Sequence, residues 1–450
     1  MGLRALLGKV RRRPTGAAAS APPPQGPPLH ERRYTDGVRH FEAGELDEAL
    51  AAFSEFLIII GRGAWVAAET PPYGLPNIRS YRDFEGAFQA LLDESSRKWS
   101  SLHEPFPRFL KAVEVGGASI AGKRLLFLLP QYIMNSKRFI EADFKDHLLE
   151  SAANAGAEVD VFHTDRCSYP GPGFDAELAR TELEHLAAKV EAFRPDIVVF
   201  DGNYVPSQES LNPAYLQELK SRHGFRLIVF IGDAWGSHWV PAGDRWGEVS
   251  DVIFHFAPET PLEKEGKFPA KLCWSGYPVN ERNFYPGDAK SLDISFVGTY
   301  VSRLRPFWLA IALQVANELK LSHRLLPHKR EAQVALTMDE YAAVLRQSRM
   351  VLNFSTRLEP LKMMTGRTWQ AMTSGVLLLE EENIYIAAYF VPFVHYIPFS
   401  NRNELAYAVR FFSLHPEWAS RIGEAASAFC KEHYSSAAIW SRLVDAAYRG

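Results

Sequence analysis

Cysteine is scarce in this sequence: Cys167, Cys273 and Cys430 are the only 3 in 450 residues, far apart and without a CxxC pair. That excludes a zinc ribbon, argues against a disulfide scaffold and leads us to expect a reducing, cytoplasmic compartment. Long apolar runs are lacking too. Stretches such as Arg124–Pro130 and Val376–Leu379 fall far short of the roughly 20 residues that a membrane-crossing helix needs. Nor does one sign of charge dominate. With 50 Lys+Arg against 53 Asp+Glu the net charge is −3, so no basic excess is available to neutralise a phosphate backbone, and no nucleic-acid partner is expected. Catalytic signatures are equally sparse, since GxGxxG, GxSxG, HExxH and DxD are all absent. The 14 histidines show no metal-ligand spacing, so no metal centre is expected. The string GASIAGK at Gly117–Lys123 fits a phosphate loop, but Arg124 stands where Ser or Thr would hold magnesium. It also precedes an apolar run instead of following one, and reads as a turn into the first strand.

What is present divides along the chain. At about 150 residues per domain, 450 residues with 47% hydrophobic content make two or three cores. Residues 1–30 form a basic, Ala/Pro-rich tail in which Arg4, Lys9, Arg11, Arg12 and Arg13 surround Leu3, Leu6, Leu7 and Val10. It has no secretory apolar core and reads as a disordered tail, or at most as a weak peripheral contact with anionic lipid at the inner membrane face. Residues 31–115 read as a helical extension. Within it, YTDGVRHFEAGELDEALAAFSEFL (Tyr34–Leu57) breaks at Gly44 and resembles one tetratricopeptide unit, with Gly37, Gly44, Ala49 and Phe53 at its packing positions. No second copy follows, so we expect a docked helical hairpin, suited to holding a protein partner, and not a solenoid.

From Gly122 onward, short apolar runs alternate with helical segments, the pattern of βαβ units and parallel sheets. Strands are predicted at Arg124–Leu129, Glu158–His163, Asp196–Phe200, Arg226–Ile231, Val252–Phe256 and Lys271–Trp274, with helices at Arg138–Asn154, Ala176–Phe193 and Pro213–Arg222. A turn-rich stretch, Pro278–Lys290, ends this block, and the alternation restarts at Asp293–Val297, Met350–Phe354, Val376–Leu379 and His395–Pro398. The expected fold is therefore α/β: two facing Rossmann-like domains, residues 116–290 and 291–450, preceded by the small α-helical extension. Ligands in such folds lie outside the carboxyl ends of the strands.

Two segments of the second block carry anion-binding chemistry. In LDISFVGTYVSRLRP (Leu292–Pro306), Gly298 permits close backbone approach and Arg303 and Arg305 can fork onto phosphate oxygens. In LKMMTGRTWQAMTSGVLLLEEEN (Leu361–Asn383), a helix begins at Thr365 and Gly366, so free N–H groups and the helix dipole favour a diphosphate beside Lys362 and Arg367. Glu380, Glu381, Glu382 and Asn383 emerge at the end of the following strand, where Glu381 and Glu382 can accept from ribose or sugar hydroxyls. In the first block, Asp201 and the stretch GDAWGSHWVP, with Asp233, Trp235, His238 and Trp239, stand at strand ends. Tryptophan stacks on sugar faces, and Asp233 or His238 can deprotonate an acceptor hydroxyl. His255 and Glu259 are weaker versions of the same idea.

The pieces DISFVGTYVSR, YAAVLRQSRMVLNFS, GRTWQAMTSGVLLLEE, YFVPFVHYIPFSNRNELA and the terminal EHY, in that order between Asp293 and Tyr434, resemble the C-terminal domain of group-1 glycosyltransferases of the spore-maturation type. The resemblance implies a GT-B fold, a nucleotide-diphosphate sugar as co-substrate held mainly by the second domain, a glycan, lipid-linked or protein acceptor at the first, and no cofactor or obligatory metal. One departure concerns the paired glutamates of many retaining members. Lys362 and Gln370, eight positions apart, fall near those places, or Trp369 by a one-residue slip. Gln370 still has the groups to hydrogen-bond a ribose hydroxyl, but the stereochemistry is left open. Two readings of other classes compete: a nucleotide-sugar epimerase of the same architecture, and a non-catalytic scaffold with a decayed transferase body.

Overall fold

The computed structural model describes residues 27–63, 66, 81–101, 119–132, 142–232, 234–258, 260–287, 289–298, 304–325, 336–355, 362–383 and 385–449. The basic residues of the tail, Arg303, Asp233 and Glu259 lie outside these. Apolar runs such as Leu125–Leu129 can be satisfied only by burial on both faces, and they form strands of parallel sheets. The first sheet comprises β1 (Arg124–Leu129), β2 (Glu158–His163), β3 (Ile197–Asp201), β4 (Arg226–Phe230), β5 (Val252–His255) and β6 (Leu272–Trp274), in the order β2-β1-β3-β4-β5-β6. The second comprises β7 (Leu292–Ser295), β8 (His323–Arg324), β9 (Ser348–Asn353), β10 (Leu377–Glu381) and β11 (Ile397–Phe399), in the order β11-β10-β9-β7-β8. All the pairings of both sheets are parallel. In each sheet the chain reverses its direction of travel beside the first strand, so crevices open at β1/β3 and at β7/β9. The chain thus has the expected α/β architecture, two Rossmann-like halves behind a helical hairpin.

Local chemistry sets where helices start. Asp175 caps Ala176–Phe193 by accepting from the N–H groups of Glu177 and Leu178, and Asn212 caps Pro213–His223 through Tyr215. Thr337 and Glu340 form a reciprocal capping box before Met338–Gln347. Two elements differ from the sequence reading. The predicted Arg138–Asn154 helix is described only from its later part, where Lys145–Glu150 winds as a π-helix before the α-helical turn Ser151–Asn154. The two-residue β8 was not predicted, because His323 and Arg324 form no apolar run. The residues at 119–123 make a turn into β1, with Lys123 N–H bonded to the Ile120 carbonyl at 3.0 Å.

The order of segments in space departs from their order in sequence. Leu29–Ala43 and Leu46–Ile59 form a hairpin that turns at Gly44, whose φ of 79° is left-handed. A Cβ on Gly37 would lie 2.5 Å from the Phe53 ring, so the two helices meet closely there. This hairpin buries Phe41, Phe53 and Phe56 with Phe307 and Trp308 of the second half, and Gln314 reaches Asp47 at 3.2 Å. Tyr81–Ser101 follows it onto the Arg402–Leu414 helix, where the Phe88 ring stands edge-on to Phe411 at 5.1 Å. The last helix, Ser436–Arg449, does the converse. It packs on the first half, with Trp440 edge-on to Phe127 at 5.7 Å and its Nε1 donating to Ser151 at 2.8 Å. Among the described residues no helix is long and apolar enough to cross a membrane.

Candidate functional site

The β7/β9 crevice is built from three backbone segments. After β7 the chain passes through Phe296 to Gly298, β9 ends on Asn353, and the Gly366–Thr373 helix opens beneath both. Arg367, at the start of that helix, spans the crevice. Its Nη1 donates to Asn353 Oδ1 at 3.3 Å, and its Nη2 lies 3.3 Å from where a Cβ on Gly298 would stand. A side chain at position 298 would crowd the guanidinium, so glycine there keeps the approach open. The Phe296 ring lies 5.9 Å from the guanidinium carbons of both Arg367 and the mostly buried Arg305. The structure therefore brings Gly298, Arg305, Gly366 and Arg367 to one end of the second sheet. Helix-start N–H groups and two guanidinium groups give that end donors suited to an anion.

The acidic run beyond β10 is arranged differently from the expectation of an open cluster. Glu380 and Glu381 are buried, and Glu382 alone of the three is exposed. Burial pushes the Glu380 carboxyl up to about 8, against the opposing pull of its bond from Asn353. Lys362 donates its ammonium to the Glu382 carbonyl and so is tied to the same strand end.

From the first half, the residues that meet this region are ones the sequence reading did not single out. His147, in the π-helix, is 1% exposed and places Nε2 at 3.2 Å from Asp143 Oδ2 and at 3.2 Å from Gln370 Nε2. One imidazole nitrogen faces both, so it serves either the carboxylate as donor or the amide as acceptor. Gln370 Oε1 accepts from the Tyr341 hydroxyl at 2.9 Å, so both ends of the expected ribose ligand are engaged within the protein. Tyr277 completes the meeting of the halves: its ring is edge-on to His147 at 4.6 Å and 2.5 Å from where a Cβ on Gly366 would be. The Asp143 side chain is 56% exposed at the mouth of the crevice, where it and Arg367 attract each other. Asp146 anchors the connection between the halves by accepting from Asn280 at 2.9 Å and Asn283 at 2.8 Å.

Of the expected acceptor-side residues, Trp235, His238 and Trp239 follow β4, and His255 ends β5. His238 is exposed on a turn of 3-10 helix, Ser237–Trp239, with Trp235 at 5.3 Å and Trp239 at 5.1 Å, ring centre to ring centre. Its described neighbours are thus on its own loop and not in the Arg367 cluster. His255 is fully buried, donates from Nδ1 to the Ala257 carbonyl at 2.9 Å, and is lowered by burial to about 4, the properties of a structural histidine. Among the described residues no three His, Cys, Asp or Glu side chains are grouped to hold a metal ion.

Residues 310–445 match the family described as glycosyl transferase-like. No curated protein matches the chain. Similar solved structures include sucrose-phosphate synthase from Thermosynechococcus elongatus, at 12% identity over 73% of this chain and 98% of that one, with a TM-score of 0.48. An alpha-glucosyltransferase in complex with UDP-glucose and DNA containing an abasic site is 12% identical over 73% of this chain and 100% of its own, with a TM-score of 0.49. Anabaena HepE in complex with UDP and glucose is 12% identical over 72% and 98%, with a TM-score of 0.47.

Proposed function

We propose that the chain is a glycosyltransferase of the spore-maturation type. It takes a nucleotide-diphosphate sugar at the β7/β9 crevice and passes the sugar to a glycan, lipid-linked or protein acceptor presented by the first half. The observation that carries this reading is the position of Arg367, at a helix start, across the switch crevice, against Gly298 and opposite Asp143. A diphosphate there would meet the N–H groups of Gly366 and Arg367 and the Arg367 fork, with Arg303, Arg305 and Lys362 adding positive charge. Exposed Glu382 is the acidic group best placed for a sugar hydroxyl, since Glu381 is buried. In the transfer itself the acceptor hydroxyl attacks the anomeric carbon and the bond from that carbon to the diphosphate oxygen breaks. The nucleoside diphosphate leaves, and the hydroxyl proton goes to a base drawn from Asp143, Asp233 or His238. Positive charge from side chains and helix N–H groups takes the place of a divalent metal.

The test is a thermal-shift screen of UDP, GDP, ADP and their hexose conjugates. A ligand at about 100 times its Kd stabilises the folded state by about 2.7 kcal/mol and raises the midpoint. No shift with any of them would remove this reading.

A further inference from the structure

We infer that Glu380 is a positioning residue that aims the Arg367 guanidinium through the Asn353 amide; the inference rests on the diphosphate site proposed above. Glu380 is 0% exposed, so no ligand touches it. The parallel register of β9 and β10 pairs it directly with Asn353 at the carboxyl edge of the sheet. Asn353 Nδ2 donates to the two carboxyl oxygens at 3.1 and 2.8 Å, and the Thr368 hydroxyl lies 3.4 Å from one of them. The same Nδ2 lies 3.3 Å from the hydroxyl of Thr365, the residue that precedes the Gly366–Thr373 helix.

An amide group is planar, with its donor and acceptor on opposite arms. The acceptor oxygen of the Glu380 carboxyl therefore holds the NH2 arm, and with it the direction of Oδ1, which accepts from Arg367 at 3.3 Å. Asp143 attracts the cation and the Tyr341 hydroxyl shares a hydrogen bond with it, and neither acts on the amide itself. The Phe296 face attracts the cation without choosing an edge, and Gly298 offers only space. Without an acceptor at position 380 only the longer contacts to the Thr365 and Thr368 hydroxyls, at 3.3 and 3.5 Å, hold the NH2 arm against turning toward the guanidinium, donor against donor. A buried carboxyl is costly to keep, as the upward displacement of its titration by burial shows. An apolar residue would pack there more cheaply, and Leu379 before it on the same strand is equally buried. The cost is accounted for by the orientation it imposes two side chains away.

The experiment compares Glu380→Leu, Glu380→Gln and Asn353→Ala by calorimetric titration with UDP, GDP and ADP, together with ligand-free crystal structures. Glu380→Leu and Asn353→Ala should each lose about tenfold in affinity, the worth of one charge-assisted bond. Glu380→Gln, which still offers one acceptor to Asn353, should stay within about threefold of wild type, and this rescue separates orientation from bulk. In an Asn353→Ala background, Glu380→Leu should cost nothing further. Wild-type affinity in Glu380→Leu, or full additivity of the two losses, overturns the inference. Should the wild-type protein bind none of the three nucleotides, the function reading fails, and the ligand-free structure of Glu380→Leu still decides this point. A guanidinium displaced from Asn353 supports positioning, and one left in place refutes it. If Glu380→Leu does not fold, the Asn353→Ala and Glu380→Gln pair carries the same comparison.

Discussion

The side-chain amide of Gln370 in the second half meets the imidazole of His147 in the first, nitrogen to nitrogen at 3.2 Å and with both residues buried. Hydrogen-bonded polar groups inside a junction tie the two halves together and cost stability when left alone. His147→Ala should lower the unfolding free energy by about 1–3 kcal/mol. Combining it with Gln370→Leu should cost less than the sum, because the second change removes the stranded partner. Denaturant midpoints of the two single variants and the double variant test this; strict additivity would mean that the pair does not interact.

Arg367→Ala should weaken nucleoside-diphosphate binding by about 1.5–3 kcal/mol while leaving the fold intact, since its partners there are polar groups of Asn353, Tyr341 and Asp143 and the Phe296 ring, not the hydrophobic core. Calorimetry on the folded variant is the check. Affinity equal to wild type would move the diphosphate away from this crevice.

The contribution of Glu380 to stability should fall as pH rises from about 5 to about 8. In the folded chain burial holds the Glu380 carboxyl protonated up to about 8, whereas an unfolded chain releases that proton near 4.3. Between the two values only the folded state keeps the proton, so its contribution is complete below the lower value and is lost as pH climbs through the upper. Glu380→Gln cannot titrate and should flatten this part of the profile. On the acid side His255 and His395, held neutral by burial, act in the opposite sense, and stability should drop as pH falls below about 6.5. Urea midpoints of both proteins at pH 5, 6.5 and 8 give the comparison; parallel curves would contradict the assignment to Glu380.

Turnover of the proposed reaction should survive excess chelator, because in the function proposed above Lys362, Arg303 and Arg367 would supply the positive charge that a metal would otherwise bring. Complete loss of activity in chelator, restored by magnesium or manganese, would show that the donor is held in another way.

The sheets were readable in the sequence because their central strands are buried on both faces. Leu125–Leu129 and Leu377–Leu379 have no polar residue to hide, and the structure places strands there. Val252–Phe256 and Arg226–Ile231 each lose their last residue from the strand, because an apolar run does not mark where pairing stops. Gly298 and Arg367 were visible as chemistry, and their meeting across the crevice followed from strand order. What could not be read is anything that depends on pairs distant in sequence. His147 and Gln370 are 223 positions apart, and neither carries a local signal of the other. The burial of Glu380 and Glu381 was hidden for a related reason. A run of three glutamates reads as solvated, yet a strand continues through the first two, and its register with Asn353 supplies a donor.

The exchange of outer helices between the ends of the chain has a consequence for synthesis. A ribosome that has finished β1 to β6 has not yet made Ser436–Arg449, the helix that covers Phe127 and reaches β4 and β5. The hairpin at Leu29–Ile59, made long before Phe307 and Trp308, must wait for them before it has this surface to rest on. Each half thus buries its outer apolar surface only once the distant segment has been made, and scission within Pro278–Lys290 would separate each half from the helix or hairpin that covers it.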